Sequence, residues 1–200
     1  MQNLPNDHSQ LLPTYSNIAA VYKKQGSFEL ALENYRRALA IELKSNDPDR
    51  QRLAKRYVDM GSILRDLGRF EEARRSLKAA LKIQRDILPA THPDLSESES
   101  HLFHVCYSMG DYSMALEHAR NSLDIAQQSH TTNSIRLAVV HNNISAVLEK
   151  LGHPAEALQE AQKALKIARK SLPQNDPGLG FFTKSLSTLQ STVHPVDSKN

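Results

Sequence analysis

Apolar positions along this chain recur at helical spacing and are interrupted at a fixed interval. Tyr15, Ile18, Ala19 and Tyr22 share a helix face before Gly26, and Ala31, Tyr35, Ala38, Leu39 and Ile41 share one after it. The arrangement returns around Gly68, Gly110 and Gly152, each 42 residues after the last. Around these glycines the chain reads YKKQGSFELALENYRRAL, LRDLGRFEEARRSLKAAL, CYSMGDYSMALEHARNSL and LEKLGHPAEALQEAQKAL. Two residues past each glycine stands Phe28, Phe70, Tyr112 or Pro154. Five past stands Ala31, Ala73, Ala115 or Ala157, and thirteen past stands Leu39, Leu81, Leu123 or Leu165. The glycine suits the turn of a helical hairpin because it accepts positive φ at a helix end. The alanines let neighbouring helices approach closely. One hairpin cannot bury its apolar face alone, so hairpins stack. No segment sustains period-two alternation, so no sheet is expected.

The pattern predicts first helices near 10–25, 52–67, 95–109 and 136–151, and second helices near 28–45, 70–87, 112–129 and 154–171. The repeats run about 10–51, 52–93, 94–135 and 136–177. A last helix over 178–192 has no glycine turn and no second helix. Its Phe181, Phe182, Leu186 and Leu189 are expected to cover the end of the stack as a cap. Residues 193–200 are expected to be a disordered tail. Residues 1–9 read as an inter-repeat linker: LPNDHSQL at Leu4 returns as LPATHPDL at Leu88 and LPQNDPGL at Leu172. The chain is therefore expected to open on the tail of a hairpin it does not contain, with the N-terminal face of the first hairpin bare and available for contact.

The glycine, the aromatic two residues on and the Ala-Leu further on resemble the tetratricopeptide repeat over residues 10–192. That family has a usual period of about 34 residues. The spacing of 42 is similar to the kinesin-light-chain-like subclass, whose His-Pro-Asp phrase stands intact at His92-Pro93-Asp94 and as variants at Asp47-Pro48-Asp49 and Asp176-Pro177. The third linker, SHTTNSIR, lacks it. The resemblance implies an all-α, right-handed superhelical solenoid of antiparallel helix pairs, with the first helices lining a concave groove. The large residue expected early in the first helix is present as Tyr15 and Tyr57 but becomes Glu99 and His141, which predicts looser packing in the third and fourth repeats.

Composition narrows the reading further. Among 200 residues, Gly and Pro number only 7 and 9 and Trp is absent, as suits helices. A formal charge of +3, with both signs interspersed, is too mild to imply nucleic acid. No apolar run is long enough for a bilayer span. The single cysteine, Cys106, excludes a disulfide framework and CxxC pairs, and favours a reducing, cytoplasmic setting. The N-terminus lacks signal-peptide regions.

Catalytic and metal chemistry find little support. Glu71-Glu72 and Glu97/Glu99 read as solvated helix faces. His101 and His104 share a face at three-residue spacing, but Cys106 falls about 200° around the helix, so the three do not converge as zinc would need. Asn143-Ile144-Ser145 fits the glycosylation triplet by chance, within a helical pattern. The basic stretch Arg74–Arg85 reads as an amphipathic second helix of the repeat. No GxSxG, GxGxxG or GxxxxGK[ST] occurs, and neither an enzyme nor a cofactor or metal is expected.

The candidate site is a polar ladder. Nine residues before each turn glycine stand Asn17, Asp59, His101 and Asn143, and three before stand Lys23, Arg65, Tyr107 and Glu149. His104 lies between the rows, and Asn142 beside Asn143 matches an Asn-Asn pair of the subclass. In the family, an Asn at this position hydrogen-bonds the backbone of a bound peptide; an amide both donates and accepts, as a peptide group requires. The resemblance thus implies a protein-interaction scaffold binding a partner peptide in its groove. Lys23, Lys55 and Arg65 make the early repeats basic, which predicts an acidic part of the ligand there. The alternatives are a structural array, self-associating through the N-terminal hairpin, or the regulatory part of a larger multidomain protein.

Overall fold

The computed structural model describes residues 10–129 and 134–193. The linker-like segment 1–9, residues 130–133 of the third linker and nearly all of the expected tail, from 194 on, lie outside the described residues. The rest is all-α: α1 (Leu11–Lys24), α2 (Phe28–Glu42), α3 (Arg50–Asp66), α4 (Phe70–Ile87), α5 (Pro93–Ser108), α6 (Tyr112–Gln128), α7 (Ser134–Lys150), α8 (Pro154–Ser171) and α9 (Pro177–Val193). No strand occurs among the described residues. Consecutive helices pair as four hairpins, with α9 packed on α8. The chain divides between Leu88 and Pro89 into two compact units.

The hairpin turns follow from the glycines. Gly26, Gly68, Gly110 and Gly152 have φ of 74, 72, 78 and 82°, which other residues adopt at a cost of about 1–2 kcal/mol. In the first turn the Ser27 amide donates to Tyr22 O at 2.9 Å and the Gly26 amide to Lys23 O at 3.1 Å. These two bonds satisfy carbonyls left over at the end of α1, and the same pair recurs at all four turns. The inter-hairpin phrases act as caps. Pro93 is the first residue of α5, and His92 Nδ1 accepts from the Asp94 amide at 3.2 Å. Asp49 caps α3 from the Arg52 amide at 3.0 Å, and Asp176 accepts from the Gly178 amide at 2.7 Å.

In the first unit α1/α2 and α3/α4 close on Ala19, Ala31, Leu32, Ile63, Ala73 and Leu77, all fully buried. Gly61 lies against Leu77, so close that an added Cβ would stand 2.6 Å from Leu77 Cγ. In the second unit Phe103, Ala115, Val140, Val147 and Ala157 form the core of α5–α8. The predicted cap is present. Phe182 and Leu189 of α9 are buried, and Leu186 packs against this core and against a second cluster of Ala138, Ala164, Leu165, Ala168 and Phe182. Phe181 departs from expectation: it points out, 58% exposed. Helical spacing explains the difference, since neighbours one apart lie on different faces.

Two expectations are corrected in α5 and α7. Glu99 is not on a solvated face but fully buried, and with His141 it does not leave the packing loose. Glu99 on α5 meets His118 Nδ1 on α6 at 2.7 Å, and His141 Nδ1 on α7 meets Glu160 on α8 at 2.6 Å. These are the same two register positions, filled by acid and base in opposite order. In the first unit they hold Tyr15 with Asn34 and Tyr57 with Ser76. Burial opposes charge on His118, but contacts with Cys106 and with Glu99 outweigh it and push its pKa up to about 9. His118 Nε2 makes no well-formed hydrogen bond of its own among the described residues. Burial would raise the Glu160 carboxyl, but hydrogen bonds from Lys163 and His141 hold it below the usual range.

Candidate functional site

The first unit contains a pocket of about 820 Å³ between α1, α2 and α3. Register builds it: Asn17, Ala20, Lys23 and Lys24 come from α1, Arg52, Lys55, Arg56 and Asp59 from α3, and Tyr35 closes it from α2. Small Ala20 leaves the space open. Five cationic side chains face one carboxylate, Asp59, among these residues. Lys23 Nζ reaches Asp59 Oδ1 at 3.2 Å, which fixes that pair at the pocket wall. The Tyr35 phenol is pushed up to about 12 by burial and by the neighbouring Asp59 carboxylate, so it remains neutral and can donate.

Arg56 is committed inward. Its side chain is 2% exposed, pairs with the equally buried Glu42 at the end of α2, and donates through Nη2 to Ser16 Oγ at 3.1 Å. This locks α1, α2 and α3 together behind the pocket. Arg52 pairs with its own cap Asp49 at 3.3 Å. Lys24 and Lys55 make no ion pair among the described residues, so they supply the positive field at the mouth.

Of the predicted site residues, the structure gathers Asn17, Lys23 and Asp59 around this one pocket. Asn17 is exposed there. Arg65 lies nearly two turns beyond Asp59 on α3 and pairs with Asp66 at 2.7 Å. In the second unit, His101, His104 and Tyr107 are half-buried along α5. His104 meets the Phe103 ring at 4.9 Å, and Tyr107 meets the Tyr112 ring at 5.4 Å, so this stretch presents aromatic edges. Asn142 and Asn143 on α7 are largely covered, at 6 and 9% exposure. Asn142 Oδ1 is buried without a hydrogen-bond partner among the described residues. The neighbouring Ser145 hydroxyl donates to Ala157 O at 2.8 Å, so the apparent glycosylation triplet is part of helix packing.

Sequence reading missed Arg56 and Glu42. A buried ion pair between residues on different helices has no local signature. Tyr35 was read as core, which it is, but its ring also forms a pocket wall. Cys106 is buried in the core, away from half-exposed His101 and His104. Among the described residues, no group of three or more His, Cys, Asp or Glu could hold a metal ion. No helix among them is long and apolar enough to cross a membrane.

Hairpins at a 42-residue period, closed by left-handed glycines and backed by small-residue contacts, define a helical-repeat fold, of a kind that typically serves as a protein-interaction scaffold. The tetratricopeptide-repeat family model matches residues 10–86 and 94–170, and the chain belongs to that family. Among solved structures it is similar to BtubC (BKLC) from P. vanneervenii, at 22% identity and a TM-score of 0.79 over 92% of this chain and 73% of that one. The apo form of RapI aligns at 18% identity and a TM-score of 0.80, covering 91% of this chain and 64% of that one. Nearly identical TPR-like repeats of a kinesin-light-chain-type protein from Podosopora anserina align at 16% identity and a TM-score of 0.72, covering 96% of this chain and all of that one. These likenesses speak for the fold. A search of curated protein sequences found no match.

Proposed function

We propose that this chain is a non-catalytic adaptor whose first unit binds an acidic segment of a partner protein in the α1–α3 pocket. Family membership supports the protein-interaction class. The observation that carries the finer reading is the charge of the pocket: among the described residues, Lys24 and Lys55 make no ion pair, at a mouth whose one lining carboxylate, Asp59, is already held by Lys23. Exposed Asn17 offers one donor and one acceptor to a peptide backbone. Arg65, further along α3, is paired with Asp66 and stands outside the pocket. In the second unit, half-buried His101, His104 and Tyr107 on α5 offer a contact row with aromatic edges rather than cations, while Asn142 and Asn143 are largely covered on α7. A cytoplasmic setting accords with the single buried thiol.

The test is fluorescence anisotropy with a labelled Asp/Glu-rich peptide. Binding should weaken as salt rises, because exposed charges are screened. Lys55→Glu should weaken it by about tenfold at low salt, equivalent to about 1.4 kcal/mol, and Asn17→Ala by less. Unchanged affinity in both variants, or indifference to salt, overturns the reading. A second reading, self-association through the first hairpin, is favoured by the exposed apolar side chains of α1.

A further inference from the structure

We propose that the group seated in the α1–α3 pocket is a phosphorylated side chain of the partner segment, so that phosphorylation of the partner governs its binding. The proposal rests on the pocket reading given above and adds the charge and shape of the bound group. Three of the five lining cations already hold a carboxylate. Lys23 has Asp59 at 3.2 Å, Arg52 has Asp49 at 3.3 Å, and buried Arg56 has Glu42. Lys24 and Lys55 make no ion pair among the described residues, and both are exposed. The pocket therefore keeps two uncompensated positive charges. A phosphoserine or phosphothreonine carries about −1.5 to −2 at pH 7, whereas one Asp or Glu carries a single charge.

Position and donors point the same way. The Lys23–Asp59 bond fixes the height of α1 against α3. Lys24 follows Lys23, and Lys55 lies four residues before Asp59, about one helical turn away. Each ammonium ends a flexible four-carbon arm, so one group between the helices can meet both. Two carboxylates share that place less easily, because neighbouring side chains of an extended segment point to opposite sides. Arg56 adds a third donor. It is 3% exposed, spends Nη1 on Glu42 and Nη2 on Ser16, and has an Nε–H without an acceptor among the described residues. It also lines the pocket. A buried donor without an acceptor is destabilising, and an oxyanion seated against Arg56 supplies one. A phosphoryl group offers three acceptor oxygens, one for each lysine and one for this arginine, where a carboxylate offers two. Asp59, the one lining carboxylate, is already held by Lys23, which offsets its repulsion of such a ligand.

Fluorescence anisotropy on the full chain tests this with three labelled Asp/Glu-containing peptides that differ only at the central residue: phosphoserine, serine or aspartate. At low salt the phosphoserine form should bind at least about tenfold tighter than the aspartate form. Lys24→Gln and Lys55→Gln should each cut that preference several-fold and together abolish it, with unchanged circular dichroism because both sites are exposed. Lys82→Gln, exposed on α4 outside the pocket, should leave phosphopeptide affinity within about twofold, since screening confines the effect of distant charges. Affinity for the phosphoserine form should rise from about pH 5 to 7, as the phosphate loses its second proton near pH 6. The aspartate form should change little over that range, because no histidine lines the pocket. Equal binding of the phosphoserine and aspartate forms overturns the phosphate inference and leaves the acidic-segment reading standing. Binding of neither form overturns both. A preference that survives in Lys24→Gln/Lys55→Gln places the phosphate elsewhere and overturns the inference. So does binding of phosphoinositide-containing vesicles, lost in that double variant, without binding of the phosphopeptide.

Discussion

His118→Gln tests the buried acid–base pair of the second unit. The wild-type imidazolium sits between Cys106 and Glu99, both buried, and against the opposing effect of burial these two contacts push its pKa up to about 9 from 6.5 for an ordinary histidine. At about 1.4 kcal/mol per unit this corresponds to about 3 kcal/mol of stability. The folded pKa is the higher one, so this contribution is fully present below pH 6.5 and disappears as pH rises through about 9. Glutamine keeps roughly the size of the side chain and a donor, but carries no charge. At pH 6 the variant should therefore be less stable by about 3 kcal/mol, or about 6–12 °C in melting temperature for a chain of this length. By pH 10 most of that gap should have closed. Thermal and urea melts followed by circular dichroism at both pH values measure it. Glu99→Gln/His118→Gln, which removes both charges, should recover part of the loss at pH 6, since it leaves no buried carboxylate without its cation. A gap that is absent, or that stays constant from pH 6 to pH 10, would refute the assignment of charge to this pair.

Three further outcomes are expected. Glu160→Gln should flatten the acid side of the stability profile: the Glu160 carboxyl is held low in the fold, so its contribution exists above about pH 4.5 and is lost as pH falls. Arg56→Met should cost about 3–5 kcal/mol in urea denaturation, because Glu42 then remains buried without its partner, and Glu42→Leu/Arg56→Met should restore much of it. Gly61→Ala should destabilise by about 1–3 kcal/mol through the contact with Leu77, and Leu77→Val in the same chain should relieve it, a coupling that a double-mutant cycle reads directly.

The helices were legible in the sequence because their signals are local and repeated. Four glycines at one spacing mark the turns, and every second helix begins two residues past its glycine, as Phe28, Phe70, Tyr112 and Pro154 do. α2 ends at Glu42 rather than 45, and Glu42 there pairs with buried Arg56. The pocket was half legible. Asn17 and Asp59 share the register position nine before the turn glycine and Lys23 stands in the row three before it, and the structure brings all three to one pocket. Asn143 shares that position too, yet is nearly covered, because the environment of a repeat position depends on the helices packed around it as well as on register. Glu99 was illegible for the opposite reason. Alone on its helix it reads as solvated, and only the histidine 19 residues later, on the paired helix, makes its burial affordable.

The reversed order of the two acid–base pairs bears on how similar hairpins keep their partners apart. The repeats offer nearly the same small-residue contacts at the same positions: Ala115 recurs as Ala157, and Ser122 as Ala164. Shape alone thus discriminates weakly between α5–α6 and α7–α8 pairing. The buried pairs discriminate by charge. Joining α5 to α8 would set Glu99 against Glu160, and joining α7 to α6 would set His141 against His118, like groups in a dry interior. Joining each helix to its own mate gives one acid to each base. Had both hairpins used the same order, every exchange would be electrostatically neutral. The opposite order makes the native pairing the one that satisfies all four groups, which is how a mismatch cost builds specificity into an interface.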